Sequence, residues 1–224
     1  MPQRLLFPDA QAASDALTFA GRARPLGDGA IRLQAAGGTL AMTSAPLAPR
    51  GLLDSTPTVL AMRVLPVDPE LVCDVVVEAS ALTAGLDPVA VDLPDTGLAP
   101  SWAGVSPPRS GWSAEPGIDA STLAARAQWG IAAVAEAVPE NPGEDAVRAV
   151  RANVWGAPDD ALAGLPLGTS FAAFALGFIV GEETARVFTS GPWTRVSLER
   201  GHVIVRGPAR VGLTDVRATG ASQP

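Results

Sequence analysis

Lysine and tyrosine are absent from this 224-residue chain, and histidine and cysteine occur once each, as His202 and Cys73. All 16 basic side chains are therefore arginine. These absences remove chemistry. Without lysine there is no Schiff base and no phosphate-loop lysine. One histidine and one cysteine cannot build a His/Cys metal cage within a chain, so no metal and no cofactor is implied. A single cysteine leaves no intrachain disulfide, which suits a reducing cytoplasm. A serine nucleophile would depend on His202 as its base, and no Gly-x-Ser-x-Gly occurs. Gly27-Asp28-Gly29 and Gly37-Gly38 lack the dinucleotide-binding spacing. Cys73 sits in an apolar, acidic stretch that should keep its thiol protonated and inert. No residue is assigned a catalytic role.

What is present favours a folded body. Hydrophobic residues make up 47% and charged residues only 17%, enough for a substantial core. The abundance of alanine and the replacement of lysine by arginine fit a GC-rich coding bias. The formal net charge is −7, unevenly spread. Residues 54–95 hold eight acids against Arg63, whereas from Arg186 onward six arginines face only Glu199 and Asp215. Opposite charge in the two regions predicts pairing within or between copies, hence a homodimer, and the overall acidity argues against nucleic acid as a partner. Residues 161–181 carry no charge for 21 residues, but Gly164, Pro166 and Gly168 break the run, so a core helix is expected rather than a membrane span. The start, Met1 to Phe7, meets Pro8-Asp9 without a long apolar stretch and does not read as a signal peptide. A cytoplasmic protein with no membrane partner is expected.

The fold class read from the pattern is α+β, with antiparallel sheet or sheets from hairpins at both chain ends packed on two or three largely apolar helices. Asp9 caps a helix over about 10–21. Residues 30–35 and 39–43 alternate around Gly37-Gly38 as a hairpin, followed by strands at 58–65, 72–79 and 89–93. Asp119 opens a helix to Val138 with Leu123, Ala127, Ile131 and Val134 on its inward stripe, expected to be the most buried long helix. Further helices span 144–155 and 170–180, and a second hairpin pairs 194–198 with 202–206. The organisation is one α+β domain, 1–217: β-rich to 93, a Pro/Gly/Trp loop at 94–118, then helices and hairpin, with a flexible tail at 218–224. Shifting the first hairpin by 163 lays it on the second, Gly38 on Gly201, which hairpin alternation alone explains more simply than a duplication, since no long repeat accompanies it.

Three stretches, residues 100–112 (PSWAGVSPPRSGW), 171–178 (FAAFALGF) and 191–197 (GPWTRVS) leading to Gly201-His202-Val203, resemble a family of uncharacterised proteins from high-GC Gram-positive bacteria. The resemblance spans most of the chain and implies no activity, cofactor or fold.

Three groups of residues are candidate sites. In the loop, Trp102, Arg109 and Trp112 surround Pro107-Pro108; stiff prolines, flat indoles and a guanidinium suit a binding edge, but a cover that packs its tryptophans over the sheet is the simpler reading. On the last hairpin, Trp193, Arg195, His202 and Arg206 share a face by alternation and could hold an anion; the alternative is a solvated strand face. Asp68, Glu70, Asp74 and Glu78 could serve glycoside or cation chemistry, but read more simply as an acidic surface. The function expected is non-catalytic cytoplasmic binding or scaffolding through the Trp/Pro/Arg loop, with protein as partner. The alternative is a carboxylate/arginine hydrolase acting on an anionic small substrate.

Overall fold

The computed structural model describes residues 4–51 and 53–207; the expected tail at 218–224 lies outside them. In chain order the elements are β1 (Arg4–Leu6), α1 (Ala10–Ala23), β2 (Ala30–Ala36), β3 (Thr39–Leu47), β4 (Thr58–Pro66), β5 (Cys73–Glu78), β6 (Thr83–Ala84), β7 (Ala90–Asp92), β8 (Ser113–Asp119), α2 (Ala120–Ala137), α3 (Glu144–Gly156), β9 (Pro158–Asp159), β10 (Leu165–Pro166), α4 (Gly168–Ala175), β11 (Thr184–Ser190), β12 (Trp193–Leu198) and β13 (Gly201–Arg206). Among the described residues there are thus four α-helices, one more than the upper end of the expectation.

Eight strands form one antiparallel sheet in the order β5-β2-β3-β4-β13-β12-β11-β8. The order is the same read from either end: an edge strand, then a three-strand meander, meeting at the centre where β4 pairs with β13. The equivalent hairpins in this arrangement are β2–β3 and β11–β12. The shift noticed in the sequence instead laid β2–β3 on β12–β13, a match that period-2 alternation produces by itself.

One face of the sheet carries the main core. Leu33, Leu40, Met42, Val59, Ala61, Val196, Val203 and Val205 are buried there against α1 and α4. Asp9 caps α1 as expected, its Oδ1 accepting from the Ala12 amide at 2.8 Å. Ala13, Ala16, Phe19, Ala20 and Ala23 make its buried stripe. Phe19 stacks on Phe178 just beyond α4, with ring centroids 6.2 Å apart. Helix α4 stops earlier than the apolar run predicts. Gly177 turns the chain at φ +69, and Arg22 Nη1 donates to the Leu176 carbonyl at 3.0 Å, satisfying the helix end.

Two expectations require correction. Helix α2 is not the most buried helix, and Ile131 is 42% exposed. Its inward stripe is Leu123, Ala127 and Gly130, with Val134 partly buried, because Trp155 of α3 packs directly on Gly130. A Cβ at Gly130 would stand 2.2 Å from the Trp155 ring, so this close approach fixes the helix rotation and turns Ile131 outward. Secondly, β8 falls where the sequence predicts the end of the 94–118 loop, and β11 is a strand that the sequence reading does not assign. Pro116 and Gly117 disguise β8, which accommodates them on the sheet edge beside a register shift.

Candidate functional site

The sheet face opposite the helices is where the candidates gather. Cross-strand register sets Trp193 opposite Arg206, Arg195 opposite Ile204 and Phe188, and Ser197 opposite His202 and Arg186. Because alternate residues share a face, Arg186, Phe188, Trp193, Arg195, His202 and Arg206 all point the same way. Arg206, Arg195 and Arg186 thereby form a diagonal row across β13, β12 and β11, with steps of about 7–8 Å.

The segment between β7 and β8 lies over this face. Trp102 is only 6% exposed and packs with Ala30, Leu60, Val76, Trp193 and Ile204 in a second apolar cluster. Three bonds pin the segment: Trp102 Nε1 donates to Asp28 at 2.8 Å, Arg32 Nη1 to the Ala103 carbonyl at 2.7 Å, and the Leu98 amide to the Val76 carbonyl at 2.7 Å. Trp112, half-buried, donates to the Pro108 carbonyl at 3.0 Å and brings its ring under Arg195, 4.7 Å from the guanidinium carbon. Phe188 approaches the same guanidinium at 4.8 Å, and Arg206 stands over Trp193 at 5.8 Å.

The electrostatics of the face are one-sided. Ion pairs among the described residues join Arg32 to Asp74, Arg63 to Asp15, Arg126 to Asp159 and Arg148 to Asp145; Arg186, Arg195 and Arg206 take part in none. Arg195 Nε is sealed from solvent without a hydrogen-bond partner among the described residues. His202 is partly buried, its Nδ1 3.0 Å from Ser197 Oγ. Burial, and then the charges of Arg195 and Arg186, push its imidazole below the ordinary value of 6.5.

The structure thus places five of the six predicted site residues on or over one face, and Trp112 on Arg195 joins the loop candidate to the hairpin candidate. Trp102 of the loop and Trp193 of the sheet are buried in one shared cluster, whereas Arg109 is exposed. His202, on a hairpin face for which a solvated strand was the alternative, is half-buried, lying opposite Met62 of the neighbouring strand. The acidic group does not converge. Asp74 is held by Arg32 in a bidentate pair at 2.7 and 2.8 Å, which keeps its carboxyl below the usual range, and no cluster suited to a metal occurs among the described residues. Burial pushes the Cys73 thiol up, as its surroundings in the sequence predicted. Sequence reasoning missed Arg186 and Phe188 because β11 was not read as a strand, although 184–190 alternates ahead of Gly191-Pro192. It also missed a cleft of about 950 Å³ between α3 and residues 46–56, bordered by Arg50, Asp54, Arg151, Trp102 and Trp155. Arg109 and Arg195 are not among its walls.

The class defined by these features is an α+β protein with one open eight-stranded antiparallel sheet, helices on one face and an aromatic–arginine surface on the other. Residues 1–104 match a Domain of unknown function (DUF8010) and residues 107–210 a second Domain of unknown function (DUF8185). The junction falls within the 100–112 stretch that carried the resemblance to uncharacterised proteins, which these two matches support. No curated protein matches the chain. Solved structures with a similar chain course include the DNA polymerase sliding clamp from Caulobacter crescentus (15% identity, 95% of this chain and 67% of that chain, TM-score 0.47). A sliding clamp (DNA polymerase III subunit beta) from Bartonella birtlesii bound to griselimycin has 12% identity over 95% and 67%, with a TM-score of 0.49. DNA polymerase III subunit beta from Borrelia burgdorferi in complex with a natural product has 11% identity over 99% and 68%, with a TM-score of 0.46. No helix of the described residues is long and apolar enough to cross a membrane.

Proposed function

We propose that this chain is a non-catalytic protein-binding or scaffold protein of the cytoplasm. Its binding edge is the face formed by Trp112, Arg195, Phe188 and Arg206, with Arg109 exposed beside it. The observation that carries the reading is the stacking of Trp112 on Arg195, which fuses loop and hairpin into one surface of the residue types favoured at interface centres. The hydrolase alternative called for a pocket in which Arg109 or Arg195 meets an acid. Arg195 instead meets two aromatic rings, and the large cleft lies elsewhere. A second copy of the chain is included among the partners, because residues 54–95 are acidic and this face is basic.

The test is a photo-crosslinking side chain at position 109, compared with one at Ser14, which is exposed on α1 across the sheet. In the native cell, a discrete protein adduct at 109 that is missing at 14 is the expected result. Equal adducts at both positions, or none at 109, would refute the reading.

A further inference from the structure

We propose that the diagonal row Arg206–Arg195–Arg186 is a docking track for an extended acidic segment of a partner protein. This rests on the reading of the face as a protein-binding edge and specifies the chemistry of what binds there. Three arginines without an acid partner among the described residues occupy successive diagonal positions on one sheet face, in a protein whose net charge is −7. Like charges so placed repel one another and are stabilised by an anion that spans them. The spacing fits a chain. Steps of about 7–8 Å along the row compare with about 6.6 Å between alternate side chains of an extended peptide, so every second residue of the ligand can present a carboxylate.

The aromatic rings decide between acidic protein and single-stranded nucleic acid. A strand of nucleic acid needs open ring faces on which bases stack. Here Arg195 already stands over Trp112 and Phe188, and Arg206 over Trp193. A guanidinium set over a ring still carries N–H donors suited to carboxylates, and Arg186 is exposed while Arg195 and Arg206 are only partly buried. Ser197 and His202 flank the row, and His202 held neutral adds no repulsion of its own to the track.

The experiment is fluorescence anisotropy at low salt with three labelled probes: an alternating Glu-Ser peptide, its Gln-Ser counterpart and an oligothymidylate. The Glu-Ser peptide is expected to bind, to weaken with added salt, and to exceed both other probes. Arg186→Gln/Arg206→Gln leaves the Arg195 stack in place, so the far-UV circular dichroism and the melting temperature should hold while affinity falls by about tenfold or more. Absence of peptide binding, binding indifferent to R186Q/R206Q, or tighter binding of the oligothymidylate would each overturn the proposal. Failure of the peptide alongside a position-109 protein adduct sinks the acidic track alone. Peptide binding through the arginines without any adduct sinks the broader reading instead.

Discussion

At the scale of single residues, the two loop tryptophans separate structure from recognition. Trp102 is buried and hydrogen-bonded to Asp28, so Trp102→Ala should cost about 3–5 kcal/mol in urea denaturation. Arg109 is exposed, and Arg109→Ala should leave stability within about 0.5 kcal/mol. A small loss at Trp102 would mean that the loop does not cover the sheet. His202 supplies a pH signature. Its folded-state value lies below the ordinary 6.5, so the unfolded chain takes up the proton first as pH falls. Its contribution is complete above about pH 6.5 and declines below that. Asp54 and Asp74, whose carboxyls are held below their ordinary 3.8, lose their contributions only at still lower pH. The stability lost between about pH 7.5 and 5.5 should therefore shrink in His202→Gln, as read by thermal melts at both values. An unchanged difference would remove the imidazole as its source.

At the scale of elements, the patterns visible in the sequence were those in which local and tertiary demands agree. Helix α1 reads correctly because its cap, its stripe and its packing coincide. The β2–β3 hairpin reads correctly because Gly37-Gly38 supplies the positive φ that the turn requires. Helix α2 was legible in extent but not in rotation. Its apolar residues are spread around the axis, and the buried side is chosen by the Trp155 contact at Gly130, which no periodicity reveals. Ile131→Ala should accordingly change stability by less than about 0.5 kcal/mol, whereas Leu123→Ala should cost about 2–5 kcal/mol. Gly130→Ala should destabilise by about 1–3 kcal/mol through overpacking, a reversal of the usual helix preference. Equal responses at 123 and 131 would contradict the observed rotation. The site was half legible for a related reason. Alternation put Trp193, Arg195, His202 and Arg206 on one face, but bringing Trp112 to Arg195 takes a long irregular segment whose path depends on Asp28, Arg32 and Val76, far away in sequence.

At the scale of the whole molecule, charge is segregated, with acids concentrated at 54–95 and, on the β11–β13 face, arginines that have no acid partner among the described residues. Self-association is expected to be electrostatic and therefore salt-sensitive. Light scattering at micromolar concentration should give a mass above 22.8 kDa at low salt that falls toward it as salt rises. A monomer mass throughout would leave only foreign proteins as partners.

The palindromic strand order has one more consequence. Among the described residues, the strand ladder that joins the two halves of the large sheet is that of β4 and β13, from Thr58–Arg206 to Met62–His202. The backbone crosses from one half to the other between the two domain matches, where Gly104 and Ser106 are exposed on either side of the partly buried Val105. Cutting the chain there would sever no strand and no helix. Each fragment made alone would bare an apolar strand edge and tend to aggregate. Produced together, the two pieces should find each other through β4 and β13 and rebuild the parent, which makes this fold a natural split-protein reporter.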